Sequence, residues 1–181
     1  MTMITRRMFV SGLSTTCLIV PVHAASGYRA YADDMLANPP RSAIIQPELE
    51  AYLDLLAAEA RYRANRKPVE ASDLLRGMAR AQALEMVKGN FVGHQSASGY
   101  NFRKRFEAFA DPEQHGDFGE NAARDRQNGE IDKEKARRLF MQWLESAGHK
   151  RNLMNRWYTK VSTGAASVNH HLYAVQIFWE R

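Results

Sequence analysis

The hydrophobic periodicity of this chain changes from helical to extended along its length, and this change constrains the fold more than any other feature. Apolar side chains recur at helical spacing in segments that begin near Pro47, Ser72 and Asp132. Near the C-terminus the spacing becomes that of strands, and residues 161–168 and 172–178 predict a β-hairpin. Helices that precede strands, without a regular strand–helix–strand alternation, predict an α+β fold.

The length and composition suit a single globular domain. The chain has 181 residues, of which 45% are hydrophobic, enough for a core of its own. Residues 25–47 lack a sustained period, and Pro39 and Pro40 interrupt them, so they predict a spacer. The domain itself is predicted to occupy residues 48–181.

The first 24 residues have the composition of an export signal. Arg6 and Arg7 form a basic start, a mildly apolar stretch follows, and small residues near Ala24 suit cleavage. The arginine pair followed by Phe9 favours the twin-arginine type over an ordinary secretory signal. The stretch is too short and too polar for a retained transmembrane anchor. We therefore predict a periplasmic or extracellular protein, which loses its single cysteine, Cys17, with the signal.

The charge of the chain argues against a nucleic-acid partner. The formal net charge is only +5, and two of the arginines belong to the predicted signal. The basic runs at residues 103–105 and 133–138 are interpreted as solvated faces, because acidic residues or polar helix positions accompany them.

Four side chains occur in short motifs that suit metal or acid–base chemistry: His94, Glu120, Glu145 and His149. Imidazole nitrogen and carboxylate oxygen atoms are ligands that zinc accepts, and they also exchange protons. Each position alone has a plainer interpretation. His94 suits a loop, Glu120 a glycine-rich turn, and Glu145 a solvated helix face, while Gly148 favours a helix end that leaves His149 on a loop. If the four converge, they define either a metal-dependent enzyme or a binding module with a polar cavity.

The order of these motifs resembles the CAP superfamily, also called SCP domains, which includes the cysteine-rich secretory and pathogenesis-related proteins. The resemblance is to its bacterial secreted branch, and it runs from about Leu49 to the C-terminus. The segments that carry it are residues 84–94, Gly119-Glu120-Asn121-Ala122-Ala123, residues 143–154 and residues 173–178. It implies a three-layer α–β–α sandwich with a small antiparallel sheet and a large surface cleft. It also implies that His94, Glu120, Glu145 and His149 form the cleft quartet, often a zinc site.

Three features depart from the family pattern. The first helix keeps only Arg61 of the family's His-Asn-x-x-Arg motif, and the disulfides of eukaryotic members are absent. Thr163-Gly164-Ala165-Ala166 replaces the usual glycine-rich strand.

The leading hypothesis is an exported CAP-domain protein that acts by binding rather than by turnover. Zinc or another divalent cation would bind His94 and His149, while Glu120 and Glu145 complete the ligand shell or orient the imidazoles. The partner would be a lipid, an envelope component or another protein.

Two alternatives remain open at this stage. The first is a zinc-dependent hydrolase of peptide or ester bonds, with Glu120 or Glu145 as the candidate proton carrier. The second is a structural envelope protein in which the same four residues form a polar network without metal.

Overall fold

The computed structural model describes residues 23–180, except for residues 112, 114 and 115. The predicted export signal therefore lies outside the described residues, apart from its last two positions. Six helices and five strands are described, and none of these helices is long and apolar enough to cross a membrane. In chain order they are α1 (His23–Ala37), β1 (Ile44–Ile45), α2 (Pro47–Arg63), β2 (Glu70–Ala71), α3 (Arg76–Gly89), α4 (Phe102–Glu107), β3 (Phe118–Asp125), α5 (Lys133–Glu145), α6 (Ala147–Leu153), β4 (Lys160–Val168) and β5 (His171–Trp179).

The strands form one sheet in the order β1-β4-β5-β3, with β2 also paired to β4. The predicted hairpin is confirmed, because β4 and β5 pair antiparallel from Lys160 opposite Trp179 to Val168 opposite His171. The strand β3 pairs with β5 along its whole length and leaves its other side at the edge of the sheet.

Helices cover both faces of this sheet. Tyr173, Val175 and Ile177 of β5 point to a core shared with α1, α3 and α4. Leu172 and Ala174, which alternate with these residues along the strand, point to a second core shared with α2, α5 and α6. Successive side chains of a strand point to opposite faces of the sheet, so a strand that is buried on both faces contributes to both cores. The predicted α+β fold, with its three α–β–α layers, is thus confirmed.

The helix α3 lies directly against β4, and Gly164 makes this contact possible. A Cβ atom on Gly164 would lie 2.1 Å from the backbone nitrogen of Arg80, a separation that no real Cβ contact tolerates. Glycine is therefore required here for close packing of the helix on the strand.

Two of the three predicted long helices begin where the sequence indicates. Pro47 opens α2, and Asp132 caps α5 by accepting a hydrogen bond from the Lys135 backbone. The prediction that Ser72 caps the next helix is wrong. Its hydroxyl accepts instead from the backbone of Leu74, which closes a turn, and α3 begins at Arg76.

The prediction of a spacer at residues 25–47 is also wrong, since α1 forms part of the core. Tyr28 and Ala32 are fully buried and Met35 is nearly so, all on the side that faces α3. Their spacing is helical, but the face is short and contains one small side chain. The periodic signal was therefore too weak to distinguish this helix from a linker.

The basic runs are not wholly solvated, which corrects the interpretation from sequence. Arg105 and Lys135 are both fully buried. The ammonium group of Lys135 donates hydrogen bonds to the carbonyl oxygens of Gln127 and His170, and it lies 3.5 Å from the carboxylate of Asp125. A buried cation is tolerated where carbonyl and carboxylate oxygens surround it.

Candidate functional site

A surface cleft runs along the edge of β3. On one side is the loop that follows α3 and carries His94, and on the other is α6, which carries His149. The two imidazole rings face each other across the cleft, with centroids 6.3 Å apart and planes at 64°. His94 is about half exposed, with 54% of its side chain accessible. The fold thus places two of the four candidate residues opposite each other in this cleft.

Glu120 lies on β3 rather than in the glycine-rich turn that the sequence predicts. Strand alternation directs its side chain toward the α4 side of the sheet, where only 1% of it is accessible. Its Oε1 atom lies 3.0 Å from Nδ1 of His94 and accepts a 2.8 Å hydrogen bond from Arg105. The buried carboxylate thus fixes one ring nitrogen of an exposed imidazole.

Arg105 in α4 is the residue that makes this arrangement possible. Besides Glu120, its guanidinium group donates to the carbonyl oxygen of His94 at 2.8 Å. Burial alone would lower the pKa of Arg105, but the Glu120 carboxylate raises it above its ordinary value. Arg105 therefore remains charged and holds both the side chain of Glu120 and the backbone of His94.

Sequence reasoning missed Arg105, although one signal was available. Arg105 lies three positions after Phe102 and next to the buried Phe106, so helical spacing places it beside the apolar face of α4. A charge in that position requires a buried partner.

The loop that carries His94 has a second buried support. Glu85 in α3 accepts hydrogen bonds from the hydroxyl of Ser96 and from the backbone nitrogen of Ala97, the latter at 2.7 Å. We refer to His94, Glu85, Arg105 and Glu120 as the cleft cluster. Glu85 was not a candidate from sequence, because a helix carboxylate that bonds a loop backbone has no local signature.

The motif Gly119-Glu120-Asn121 also positions α6. Asn121 donates to the carbonyl oxygen of His149 at 3.2 Å, and Asn152 donates to the carbonyl oxygen of Glu120 at 3.0 Å. A Cβ on Gly119 would lie 2.6 Å from the hydroxyl of Tyr158, so the glycine permits this approach. The side chain of Asn121 and the backbone carbonyl of Glu120 therefore hold the helix that carries His149.

His149 lies within α6, which corrects the prediction that Gly148 ends a helix before it. Burial and the nearby charge of His94 lower the pKa of His149. Its imidazole is therefore neutral near pH 7, the form that donates a lone pair to a metal ion.

Glu145, the fourth predicted member, lies at the end of a different helix from His149. It is the exposed last residue of α5, and the extended backbone of Ser146 separates it from α6. Among the described residues it forms no hydrogen bond or ion pair with His94, Glu120 or His149. No cluster of three or more histidine, cysteine or carboxylate side chains with a geometry suited to a metal ion occurs in this part of the chain. The closest arrangement is a pair of imidazoles with one carboxylate behind His94.

Arg61, which matches the arginine of the family's first-helix motif, does not enter the cleft. It is fully buried, and its guanidinium group donates to the carbonyl oxygens of Lys67, Leu153, Asn155 and Tyr158. It fastens the chain that follows α6 to the end of α2, which is a structural role.

Beside His149 the cleft opens into a small groove of about 280 Å³, which we call the β3 groove. It lies between β3, α5 and the loop after α3. Its lining residues are Val92, Ala122, Ala123, Arg124, Arg126, Gln142, Ser146 and His149.

These observations define a three-layer α–β–α domain with two facing histidines in a cleft at the sheet edge. Residues 56–179 match the cysteine-rich secretory protein family, abbreviated CAP. Because this match covers more than half of the chain, the protein belongs to that family. The resemblance stated from sequence is confirmed.

Solved structures of bacterial proteins share the fold. An outer surface protein from Borrelia burgdorferi matches with a TM-score of 0.65 at 21% identity, over 77% of this chain and 97% of that one. An extracellular protein from Bacillus anthracis that contains an SCP domain matches with a TM-score of 0.61 at 21% identity, over 75% of this chain and 41% of that one. No curated protein sequence matches this chain.

A cysteine-rich secretory protein from Staphylococcus aureus has a TM-score of 0.50 at 17% identity, over 75% of this chain and 39% of that one. This chain thus spans about two fifths of the Bacillus and Staphylococcus proteins. At these identities the likenesses show the fold.

Proposed function

We propose that this protein is an exported binding module whose cleft takes a divalent cation, zinc in the simplest case, on His94 and His149. The observation that carries the proposal is the pair of facing imidazoles, one of them held from behind by a buried carboxylate. Export is supported by the predicted leader and by the extracellular and outer surface descriptions of the structural neighbours.

The hydrogen bonds of Glu120 suggest how His94 would act. When Nδ1 of His94 donates to Glu120, the other ring nitrogen, Nε2, keeps its lone pair for a ligand. A carboxylate that accepts from a metal-binding histidine fixes the tautomer and the orientation of the ring. We therefore assign Glu120 to orientation of His94 rather than to direct ligation.

The chain itself would supply only two ligands in this proposal. Zinc is usually four-coordinate, so a bound ion would retain positions for water or for a ligand group and would polarise what occupies them. An ion held this way suits recognition of a partner that brings its own donor atom. The residues present therefore fit a binding site better than a closed structural zinc site.

Hydrolysis is the less favoured function for a specific reason. A general base must exchange a proton with the attacking water. Glu120, the carboxylate that contacts His94, has only 1% of its side chain accessible and is paired with Arg105, so an attacking water has little access to it. Turnover of ester or peptide substrates that is lost in Glu120→Gln, with the metal retained, would reverse this preference.

Zinc titration by calorimetry tests the proposal. We expect one zinc ion per chain in the wild-type protein and no specific binding in His94→Ala or in His149→Ala. The matched control is the double change His170→Ala and His171→Ala. It removes a second pair of imidazoles, at the tip of the β4–β5 hairpin, whose ring centroids lie 4.4 Å apart.

The control decides where any zinc is bound. Zinc that persists in the hairpin variant and disappears in the cleft variants supports the cleft. Absence of binding in the wild type, or loss of binding only in the hairpin variant, would exclude the metal site proposed here.

A further inference from the structure

The β3 groove has a charge character that the histidine pair does not explain. Two of its lining residues, Arg124 and Arg126, are cationic, and none of the described residues that line it is acidic. One wall of the groove is the edge of β3 at Ala122 and Ala123, where both side chains are small. The groove is therefore a small concave surface with positive charge at its wall.

Arg124 is held in place without a carboxylate. Its Nη1 atom donates to the amide oxygen of Asn90 and, at 2.7 Å, to the hydroxyl of Tyr173. The guanidinium carbon also lies 5.1 Å from the centre of the Tyr173 ring. These neutral contacts orient the guanidinium group but leave its charge uncompensated. Its buried Nε atom has no hydrogen-bond partner among the described residues.

The acidic residue that separates the two arginines in the sequence pairs with neither of them. Asp125, which lies between them in the sequence, points to the opposite face of the sheet and pairs with Arg138 and Lys135. Among the described residues neither Arg124 nor Arg126 takes part in an ion pair. Burial, together with the charges of His170, Arg124, Arg126 and Lys135, lowers the pKa of His171, which is consistent with a positive potential on this part of the surface.

We propose that the β3 groove binds a phosphate group, either as the free anion or as part of a lipid head group. Guanidinium groups match the planar, paired oxygens of phosphate, and a preoriented arginine loses little freedom on binding. The volume of about 280 Å³ falls just below the roughly 300–1,000 Å³ of small-molecule sites, so it suits a head group rather than a whole lipid. Val92 at the rim is 43% exposed and offers apolar surface beside the phosphate.

This inference rests on the proposed function in one respect, that the cleft is a binding site. The two sites adjoin, because His149 lines the groove and is also one of the two facing histidines. The arginines act without a metal ion. Binding of phosphate in the presence of EDTA therefore tests the groove independently of zinc.

The experiment is calorimetric titration of the protein with two probes, inorganic phosphate and the water-soluble dihexanoyl phosphatidic acid. EDTA and about 0.15 M NaCl are present, which screens contacts between exposed charges. We expect Arg124→Gln to weaken binding by about tenfold or more, since it removes a charge-assisted hydrogen bond. Arg126→Gln should weaken it about threefold, because that side chain is exposed. The matched control, Arg63→Gln on α2, carries the same charge change on a remote exposed side chain and should bind as the wild type does.

The two probes distinguish the sources of phosphate. Tighter binding of phosphatidic acid than of phosphate supports a lipid head group, whereas equal binding supports the free anion. Arg126→Gln keeps the test valid if Arg124→Gln does not fold, and His94→Ala should retain phosphate binding even if zinc binding is lost. The proposal is overturned if neither probe binds, or if Arg63→Gln weakens binding as much as Arg126→Gln does.

Discussion

Two regions of the protein each bury a pair of carboxylates beside arginines, but they use them differently. The first lies between α2, α3 and β4 and consists of Glu50, Asp54, Arg76, Arg80 and Thr163, which we call the closed network. Here every carboxylate oxygen has a partner. Glu50 accepts from Arg80 and from the Ala165 backbone, and Asp54 accepts from Thr163 at 2.5 Å and from Arg76 at 3.2 Å.

The cleft cluster is the second region, and some of its buried hydrogen-bonding atoms have no partner among the described residues. One oxygen of Glu120 and one of Glu85 are buried without a hydrogen-bond partner among the described residues. Buried polar atoms are normally satisfied, so such atoms are retained at a cost to stability. The comparison suggests that the closed network serves the fold, whereas the cleft cluster sacrifices some stability to hold an exposed histidine.

The largest expected effect is the loss of stability in Glu120→Ala. This change leaves the fully buried Arg105 without its carboxylate, and removal of one partner of a buried pair costs about 3–5 kcal/mol. Chemical denaturation measures the free energy of unfolding. Glu107→Ala, which removes an exposed carboxylate from the same helix as Arg105, should change it by less than about 0.5 kcal/mol. A cost for Glu120→Ala no greater than that of Glu107→Ala would show that Arg105 is not held by this pair.

A pH-dependent effect is expected in the closed network. Burial raises the pKa of Asp54 from 3.8 to about 6, against the opposing effects of Thr163 and Arg76. Because the folded pKa lies above the unfolded value, folding takes up a proton between these values, and stability falls as pH rises through them.

The variant Asp54→Asn isolates this contribution. Its free energy of unfolding relative to wild type should improve by up to about 3 kcal/mol between about pH 4 and pH 7, since one pKa unit corresponds to about 1.4 kcal/mol. Denaturation curves of both proteins across this range measure the difference. If the difference between the two proteins stays constant with pH, Asp54 does not titrate as the burial implies.

A smaller loss of stability is expected for Glu50→Ala. Glu50 is buried, but 29% of the Arg80 side chain is accessible, so the released guanidinium group regains part of its hydration. We expect a loss of about 2 kcal/mol, from the broken pair and the unpaired Ala165 nitrogen. Glu48→Ala, an exposed change on the same helix, is the control. A loss larger than that of Glu120→Ala would reverse the ranking of the two regions.

The smallest expected effect concerns Glu145. Because Glu145 is exposed and has no hydrogen bond to either histidine among the described residues, Glu145→Ala should change stability by less than about 0.5 kcal/mol and leave zinc affinity unchanged. Zinc titrations of Glu145→Ala and of His149→Ala compare the contributions of the two candidate ligands in this motif to zinc affinity. Weakened zinc binding in Glu145→Ala would restore the four-residue site that the sequence predicts.

The sequence predicted those parts of the fold that depend on local periodicity or on ordered motifs. Pro47 at the start of α2, Asp132 at the cap of α5 and the β4–β5 hairpin are local signals, and the structure confirms them. The helix α1 was missed because few residues carry its apolar face. The direction of the Glu120 side chain could not be predicted in this way, because it depends on how β3 pairs within the sheet.

The candidate site shows the same limit. His94 and His149 were found because each stands in a motif, whereas Arg105 and Glu85 were missed because they act through partners elsewhere in the fold. Glu145 fits the motif of its family by sequence, but the helix is interrupted at Ser146, so Glu145 and His149 lie on different helices. Motifs therefore predicted which residues are candidates, and packing determined which of them meet.

The central claim is that the cleft cluster serves ligand binding and the closed network serves the fold. Zinc affinity measured side by side in Glu120→Gln and Glu50→Gln tests it most directly, because each change removes one buried negative charge and keeps the side-chain volume. The account predicts zinc binding weakened about 10- to 100-fold in Glu120→Gln, as for other residues that orient a metal-binding histidine, and unchanged in Glu50→Gln. Equal zinc affinity in the two variants would contradict the division between the two regions.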